Sequence, residues 1–270
     1  MLLVIGAERL LDGTVETVML APLRTLIKTG LTAGLARRGY EMQPMTPPEP
    51  EDLERKRFDE EARLITRRHQ AQSRDDVARL RSRYDRAVYG RVEMWTLLER
   101  LGRCVDPTDT RLYGASQHLH VLQVLSAMEA DGVTDSNLLL AALIHDVGKL
   151  LLLIGEQPEN VVCFNEPIGP HEPGIGLDCC VLQWNHDEFG YSRLKDHVPD
   201  AVSWLVRYHS IRIERCAPLM DARDLAYTER YLRPFQHYDQ DSKSLFAIPH
   251  RALDDYRERL EKSLPRAILF

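Results

Sequence analysis

The sequence LLLAALIHDVGK, at residues 138–149, joins a fully apolar run to an ionisable pair. The first seven of these residues carry no polar side chain, which predicts a helix buried on all sides rather than an amphipathic surface helix. His145 and Asp146 follow the run, and burying both side chains unpaired would cost on the order of several kcal/mol. A bound cation would remove that cost. A His–Asp hydrogen bond at the helix end is the alternative explanation.

Composition and charge narrow the class of protein. The chain has 270 residues, 44% of them hydrophobic, which is enough for one domain with a full core and an appendage. Its net charge of −6 argues against nucleic acid as a partner, because nucleic-acid-binding proteins carry a basic surplus. The five cysteines show no CxxC pair, as expected of reduced thiols in the cytoplasm. We expect a cytoplasmic monomer with no signal peptide and no membrane span.

Helical spacing of apolar residues dominates the chain after its first 55 residues. Residues 1–55 are predicted to form an N-terminal extension and a Pro-rich linker, because four prolines fall between Pro44 and Pro50. Residues 56–270 are predicted to form one helical domain, in which the Gly- and Pro-rich segment 165–176 is a candidate lid. No alternating strand pattern occurs, so the predicted fold class is all-α. The predicted helices cover 58–86, 92–101, 117–130, 138–149, 177–195, 199–208, 222–238 and 249–264.

Histidines and two aspartates recur in or at the ends of these predicted helices. One ligand per successive helix is how helical bundles build metal centres in their cores. Nitrogen and carboxylate ligands without thiolate suit iron or manganese better than zinc. Six ligands are enough for two metals, with Asp146 as the natural bridging carboxylate. The six candidates are His120, His145, Asp146, His186, His209 and Asp239.

The roles of several neighbouring residues stay open at this point. His118 competes with His120 for the first ligand position, because both lie near the start of one predicted helix. Lys149 follows His145 by one helical turn, where it could neutralise an anionic oxygen or cap the helix C-terminus. His171 lies in the candidate lid and has either a role there or none. Charged or turn contexts predict a surface position for His69, His197, His237 and His250. Asp187 and Glu188 either orient His186 or form a polar helix face.

The ordered motifs resemble those of the myo-inositol oxygenases. His120, His145-Asp146 and Asp239 look like the H…HD…D signature of the HD-domain superfamily. The resemblance extends from about residue 58 to the C-terminus. The motifs carrying it are VDPTD at 105–109, HVLQ at 120–123, HDVGK at 145–149, WNHDEF at 184–189, RYHS at 207–210 and FQHYDxxxK at 235–243.

This resemblance implies a fold, a cofactor and a reaction. The fold would be an HD-domain-like helical bundle whose 56–270 catalytic domain encloses a mixed-valent Fe2+/Fe3+ pair. His120, His145 and Asp239 would hold one iron, and His186 and His209 the other, with Asp146 bridging. The enzyme would use O2 to oxidise myo-inositol, or a related small polyol, and cleave its ring to a uronic acid. Asp146 and Lys149 are the catalytic candidates, and the implied contacts to substrate hydroxyls are Asp106, Lys149, Ser210 and Lys243.

Two segments depart from the family pattern. Only 40 residues separate His145 from His186, and IRIERCAPLM at 211–220 stands where the family has a Gly-Gly-Asp-Tyr segment. Both segments line or cover the substrate in the family, so the metal site is better supported than the substrate. A diiron oxygenase of another substrate, such as a hydroxyphosphonate, therefore stays open. So do an HD-type metal-dependent phosphohydrolase and a helical scaffold without metal.

Overall fold

The computed structural model describes residues 49–270, in which residues Lys56–Phe270 form one compact unit. Within these residues, helices account for most of the chain and only a two-stranded antiparallel sheet accompanies them, which confirms the predicted all-α class. The HD-domain assignment stays a prediction. The predicted extension over 1–55 lies outside the described residues except for its last seven positions.

The α-helices alternate with 3-10 turns, loops and two short strands. The strands β1 (Arg91–Glu93) and β2 (Ala267–Leu269) pair Arg91 with Leu269, which ties the C-terminus to the helical unit. The α-helices are α1 (Glu49–Gln70), α2 (Arg74–Arg83), α3 (Met94–Arg100), α4 (Gln117–Ala130), α5 (Ser136–Ile144), α6 (His186–Leu194), α7 (Asp200–Tyr208), α8 (Ile213–Cys216), α9 (Ala222–Tyr227), α10 (Arg233–Asp241) and α11 (Leu253–Leu260).

The apolar run of α5 forms the centre of the core, as predicted. Asp135 begins the helix by accepting a hydrogen bond from the Asn137 backbone N–H at 2.9 Å, and every residue from 138 to 144 is buried. Helix α5 packs against α4 and α7, which cover it on two sides. The α-helix stops at Ile144, and a 3-10 helix (Val147–Ile154) continues after His145 and Asp146. The predicted single helix over 138–149 is therefore wrong beyond residue 144.

The segment Ser136–Ile154 is long and apolar enough to span a membrane by length and composition alone. In the most apolar part of this segment, 78% is buried inside the protein. Core helices of folded domains pass the same test, so this segment is weak support for a membrane span.

Three further helices and one small sheet differ from the sequence prediction. Helix α1 begins at Glu49, inside the predicted linker, because proline is tolerated in a first helical turn. The predicted helix 177–195 reduces to a 3-10 turn (Leu177–Cys179) and α6, which Asn185 caps by accepting the Asp187 N–H. A π-helix (Thr228–Leu232) interrupts the helix predicted over 222–238. The sheet was missed because strands of three residues are too short to show alternation.

The predicted lid is irregular but does not cover the cavity described below. Its backbone N–H groups at Gly174 and Gly176 donate to the carbonyls of Pro218 and Leu219, which hold the segment against the chain beyond α8. His171 accepts a hydrogen bond from the Val181 N–H at 3.0 Å. This histidine therefore stabilises the loop, and none of residues 165–176 lines the cavity.

Gly148 brings the 3-10 helix into direct backbone contact with the start of α6. A Cβ atom added at Gly148 would lie 2.1 Å from the His186 carbonyl oxygen, far inside van der Waals contact. Neither backbone can yield easily, because both residues are buried among packed helices. Glycine at this position therefore sets how closely His186 approaches the His145-Asp146 turn.

Replacing Gly148 with alanine should destabilise the protein by about 3 kcal/mol, because the added methyl group forces two buried backbones apart. Chemical denaturation monitored by circular dichroism measures the free energy of unfolding. The matched control is Gly102→Ala, whose added Cβ meets only the His118 ring at 3.7 Å and should change stability by less than about 1 kcal/mol. Equal stabilities of the two variants would contradict the close contact.

Candidate metal centre

The predicted ligands lie in or next to five helices and converge on one buried point. His145 and Asp146 directly follow α5, His186 begins α6, and His209 follows the last residue of α7. His120 and Asp239 lie within α4 and α10, which pack against each other. All six side chains are at most 5% exposed. The structure therefore brings all six together, while their role as ligands stays a prediction.

The first cluster lies between α4, α5 and α10. The His120 Nε2 atom is 2.8 Å from Asp239 Oδ1, and the two Nε2 atoms of His120 and His145 are 3.4 Å apart. Asp146 Oδ2 lies 3.3 Å from His145 Nε2 and 3.7 Å from His120 Nε2. His120, His145 and Asp146 therefore present donor atoms close enough to bind a single cation.

The second cluster uses the other oxygen of the same carboxylate. Asp146 Oδ1 lies 3.1 Å from His186 Nε2 and 3.7 Å from His209 Nε2. The Nε2 atoms of His186 and His209 are 3.3 Å apart. Asp146 thus faces two histidine pairs, one with each oxygen, which is the geometry expected of a carboxylate bridging two cations.

Backbone carbonyls fix the orientation of three of the four imidazole rings. The Nδ1 atoms of His145, His186 and His209 lie 3.0, 2.6 and 3.0 Å from carbonyl oxygens of Ala142, Val161 and Val206. A carbonyl only accepts, so Nδ1 carries the proton and a neutral ring presents a lone pair on Nε2. All three lone pairs then point into the centre, as metal-binding histidines require.

The carboxylate oxygens of Asp146 at the centre receive no hydrogen bond from the described part of the protein. Neither oxygen of Asp146 accepts a hydrogen bond within residues 49–270, although Lys149 Nζ lies 3.1 Å from Oδ2 as an ion pair. A buried carboxylate left in this state is costly. The residues present therefore fit a pair of cations, which would satisfy the orphaned oxygens.

When no cation is bound, protons on His145 and His186 supply positive charge at the centre. Burial lowers the pKa of His145, but the Asp146 and Asp239 carboxylates more than offset it and raise that pKa to about 9. For His186, burial lowers the pKa, but the Asp187 and Asp146 carboxylates more than offset it and raise that pKa to about 9. Burial raises the pKa of Asp146, but the positive charges of His145 and Lys149 hold that pKa well below its usual value. The centre therefore attracts positive charge.

A cavity of about 270 Å³ opens beside the second cluster. The four predicted substrate-binding residues Asp106, Lys149, Ser210 and Lys243 all line it, together with Asp146, His186, His209 and Asp239. Its wall includes Cys163, which holds a left-handed backbone conformation with φ of 87° that is uncommon outside glycine. The cavity joins the candidate ligands to a ring of polar side chains.

Lys149 holds a central place in that ring. Its Nζ atom contacts Asp106 Oδ2 at 2.9 Å, Gln117 Oε1 at 2.9 Å and Asp146 Oδ2 at 3.1 Å. Burial lowers the pKa of Lys149, but the two carboxylates raise it well above its usual value. The ammonium therefore stays charged beside Asp146. The contact to Asp146 follows the i,i+3 spacing of the 3-10 helix rather than the predicted turn from His145.

The structure settles several alternatives for the remaining histidines. His118 is half-buried near Gly102, so His120 alone reaches the centre from α4. His197, His237 and His250 are exposed, as predicted. His69 is not: it is fully buried, with Nδ1 2.9 Å from the Glu159 carbonyl oxygen. Its surface prediction was wrong because the charged residues around it face solvent while it lies on the inner side of α1.

One residue beside the centre, Gln117, was missed from the sequence, and the role of another, Asp187, was left undecided. Gln117 is fully buried and accepts from Lys149, yet a glutamine at a helix start carries no special signal. Asp187 is fully buried, with Oδ1 3.0 Å from His186 Nε2. Glu188 instead faces Arg207, with its Oε2 accepting from Nε at 2.9 Å. Asp187 thus belongs to the centre and Glu188 to the helix surface.

Adding a divalent cation to the cation-free protein at neutral pH should release protons, because a pKa of about 9 keeps His145 and His186 protonated there. The apparent cation affinity should rise as pH increases and level off above about 9. Calorimetric titration with Mn2+ in buffers of different ionisation enthalpy counts the protons. Binding without proton release would contradict this protonation state.

Comparison with known proteins gives matches along nearly all of the described chain. The family model for myo-inositol oxygenase matches residues 59–169 and 159–270. Inositol oxygenase 1 of Arabidopsis thaliana is 28% identical over 232 residues, covering 72% of this chain and 73% of that protein. The probable inositol oxygenase of Oryza sativa subsp. japonica is 29% identical over 237 residues, covering 73% and 76%. Inositol oxygenase of Bos taurus is 23% identical over 229 residues, covering 71% and 80%.

These matches confirm the resemblance found in the ordered motifs. They do not favour the phosphohydrolase or the hydroxyphosphonate oxygenase that the sequence left open. The family consists of oxidoreductases, and its model spans both the α4–α5 half and the α6–α10 half of the centre. The chain belongs to the myo-inositol oxygenase family.

Proposed function

We propose that this chain is a non-haem diiron oxygenase that uses O2 to oxidise myo-inositol, or a related small polyol, and to cleave its ring to a uronic acid. The observation that carries the proposal is Asp146, whose two oxygens face two separate pairs of buried histidines. One carboxylate shared in this way suits two bridged cations. The absence of thiolate among these donors favours iron over a structural zinc.

The proposed ligands divide into two sets around the bridge. His120, His145 and Asp239 would hold one iron, and His186 and His209 would hold the other. The Fe2+/Fe3+ pair would supply activation of O2 and oxidation of a substrate C–H bond. The protein supplies rings already aimed at the centre by backbone carbonyls, so little reorganisation is needed when the cations bind.

The cavity supports a small hydroxylated substrate. Its volume of about 270 Å³ suits a small molecule, and its lining offers both donors and acceptors for hydroxyl groups. Asp106 would accept from a substrate hydroxyl, and Lys149 would donate to a substrate oxygen while its charge stays beside Asp146. Because Lys149 already has three partners, a substrate oxygen would replace one of them.

Ser210 and Lys243 would complete the substrate contacts. Ser210 accepts from Asn185 Nδ2 at 3.2 Å and donates to Asp187, so its hydroxyl is held in one direction. Lys243 Nζ pairs with Asp109 Oδ2 at 3.1 Å and keeps a positive charge at the cavity edge. We also propose a cytoplasmic location, which the free state of all five cysteines supports.

Iron-loaded protein should consume O2 only when myo-inositol is added, with one O2 used for each uronic acid formed. An oxygen electrode and mass spectrometry of the product measure the two quantities. Asp146→Asn should lower both the iron content and the rate by at least about 10-fold, because it removes the shared charge. The exposed carboxylate variant Asp196→Asn is the matched control and should behave as the unmodified chain. Protein that carries two irons but shows no inositol-dependent uptake would overturn the proposal.

Lys243→Gln should raise KM for the polyol about 10-fold, equivalent to about 1.4 kcal/mol, and leave the iron content unchanged. The physical reason is that the charged donor lost from the cavity edge contacts Asp109 and not a proposed ligand. Steady-state O2 uptake and iron analysis test this together. Lys195→Gln, at an exposed lysine outside the cavity, is the control. An unchanged KM would remove Lys243 from the substrate contacts.

A further inference from the structure

Two side chains in the cavity wall have no place in the proposed function. Phe164 and Arg212 line the cavity, but they belong neither to the six candidate ligands nor to the four proposed substrate contacts. A backbone bridge between Asn165 and Ile211, in which the Asn165 N–H donates to the Ser210 carbonyl at 2.9 Å, brings the two segments together. The Arg212 Cζ atom lies 5.9 Å from the centre of the Phe164 ring. The two side chains therefore form one patch of the wall, next to Ser210.

The guanidinium of Arg212 is supported on two sides but keeps its hydrogen-bond donors. Its Nε atom lies 3.2 Å from Glu166 Oε1, and the Phe164 ring lies against the group, an arrangement that suits the planar guanidinium. Within residues 49–270 the guanidinium donates no hydrogen bond, although it carries five N–H donors in a rigid fork. The side chain is 46% exposed. Arg212 is therefore a positioned cation whose donors are available to a ligand.

The carboxylates that line the cavity do not offset this charge. They are Asp106, Asp109, Asp146 and Asp239. The first two pair with the lysines of the lining, and the last two would hold the proposed cations. Two arginines also line the cavity, Arg212 and Arg111, and Arg111 donates to the uncharged Gln240 carbonyl at 2.6 Å. The lining that remains carries positive charge, which favours a negatively charged group on the ligand.

The cavity also has room for a substituent at Arg212. A second hollow of about 470 Å³ adjoins the cavity, and Gln70 and Arg212 line both. Glu166 and Arg215 line the hollow but not the cavity. The wall at Arg212 therefore borders open space on both of its sides. A ring held in the cavity can project a charged group past this arginine without displacing packed side chains.

We infer that the polyol oxidised by this chain carries an oxyanion substituent, a phosphate or a carboxylate, that Arg212 binds beside Phe164; this rests on the proposed function. Either oxyanion accepts two parallel N–H bonds from a guanidinium, and such charge-assisted pairs are the strong ones. A hydroxyl group in the same place accepts fewer hydrogen bonds and leaves the positive charge uncompensated. Arg212 is thus a specificity-determining residue, and it takes no part in breaking bonds of the substrate.

The experiment is calorimetric titration of the iron-loaded full chain with O2 excluded, so that ligands bind without turnover. The probes are myo-inositol, myo-inositol monophosphate and quinate, which is a cyclic polyol that carries a carboxylate. At least one of the two charged probes should bind at least about 10-fold more tightly than myo-inositol. The tighter of the two identifies the oxyanion. The same preference should appear in kcat/KM when O2 uptake is measured in air.

Two matched variants separate a specific contact from general attraction. Arg212→Gln should reduce the preference for the charged probe at least about 10-fold, because it removes the fork from the cavity wall. Arg215→Gln removes the same charge three residues later, outside the cavity lining, and should keep the preference. An unchanged iron content shows that each variant is folded. Equal loss of preference in the two variants would mean that Arg212 makes no specific contact, and would overturn the inference.

The remaining outcomes distinguish the inference from the proposed function. If myo-inositol binds at least as tightly as both charged probes and supports O2 uptake, the oxyanion contact is wrong and the proposed function stands. If none of the three probes supports O2 uptake by the iron-loaded chain, the proposed function itself fails and the inference fails with it.

Discussion

The burial of more carboxylate than ammonium charge in one place is the constraint on which the rest of this structure depends. Burying such an excess is unfavourable unless cations or protons compensate it. Lys149 compensates part of this charge by contacting two of the carboxylates at once, and His145 and His186 take up protons when no cation is bound. The carboxylates are Asp106, Asp109, Asp146, Asp187 and Asp239, beside Lys149 and Lys243.

The apolar framework makes this concentration of charge possible. Helix α5 is buried throughout and packs between α4 and α7, so the turn that follows it has little freedom to relax away from its neighbours. Three rings are fixed through Nδ1 to carbonyls of their own or neighbouring segments. The energy of hydrophobic burial therefore holds polar groups in an arrangement that they would not adopt by themselves.

Sequence patterns predicted the core and the site well where local rules decide the structure. Helix α4 matches its predicted bounds, because its apolar spacing and capping residue agree. The convergence of His120, His145 and His186 followed from one ligand per helix. The sequence could not show that Asp187 turns inward while Glu188 turns outward, because both positions are polar and adjacent. That choice depends on Ser210 and Arg207, which are distant in sequence.

The contact between Gly148 and the His186 carbonyl has a consequence for divergence within the family. A backbone contact, rather than a pair of side chains, sets the spacing between the two halves of the centre. Loops around the cavity can then change in length or sequence without altering that spacing. Natural variation in substrate preference can accumulate at the cavity rim while the reactive machinery keeps its dimensions.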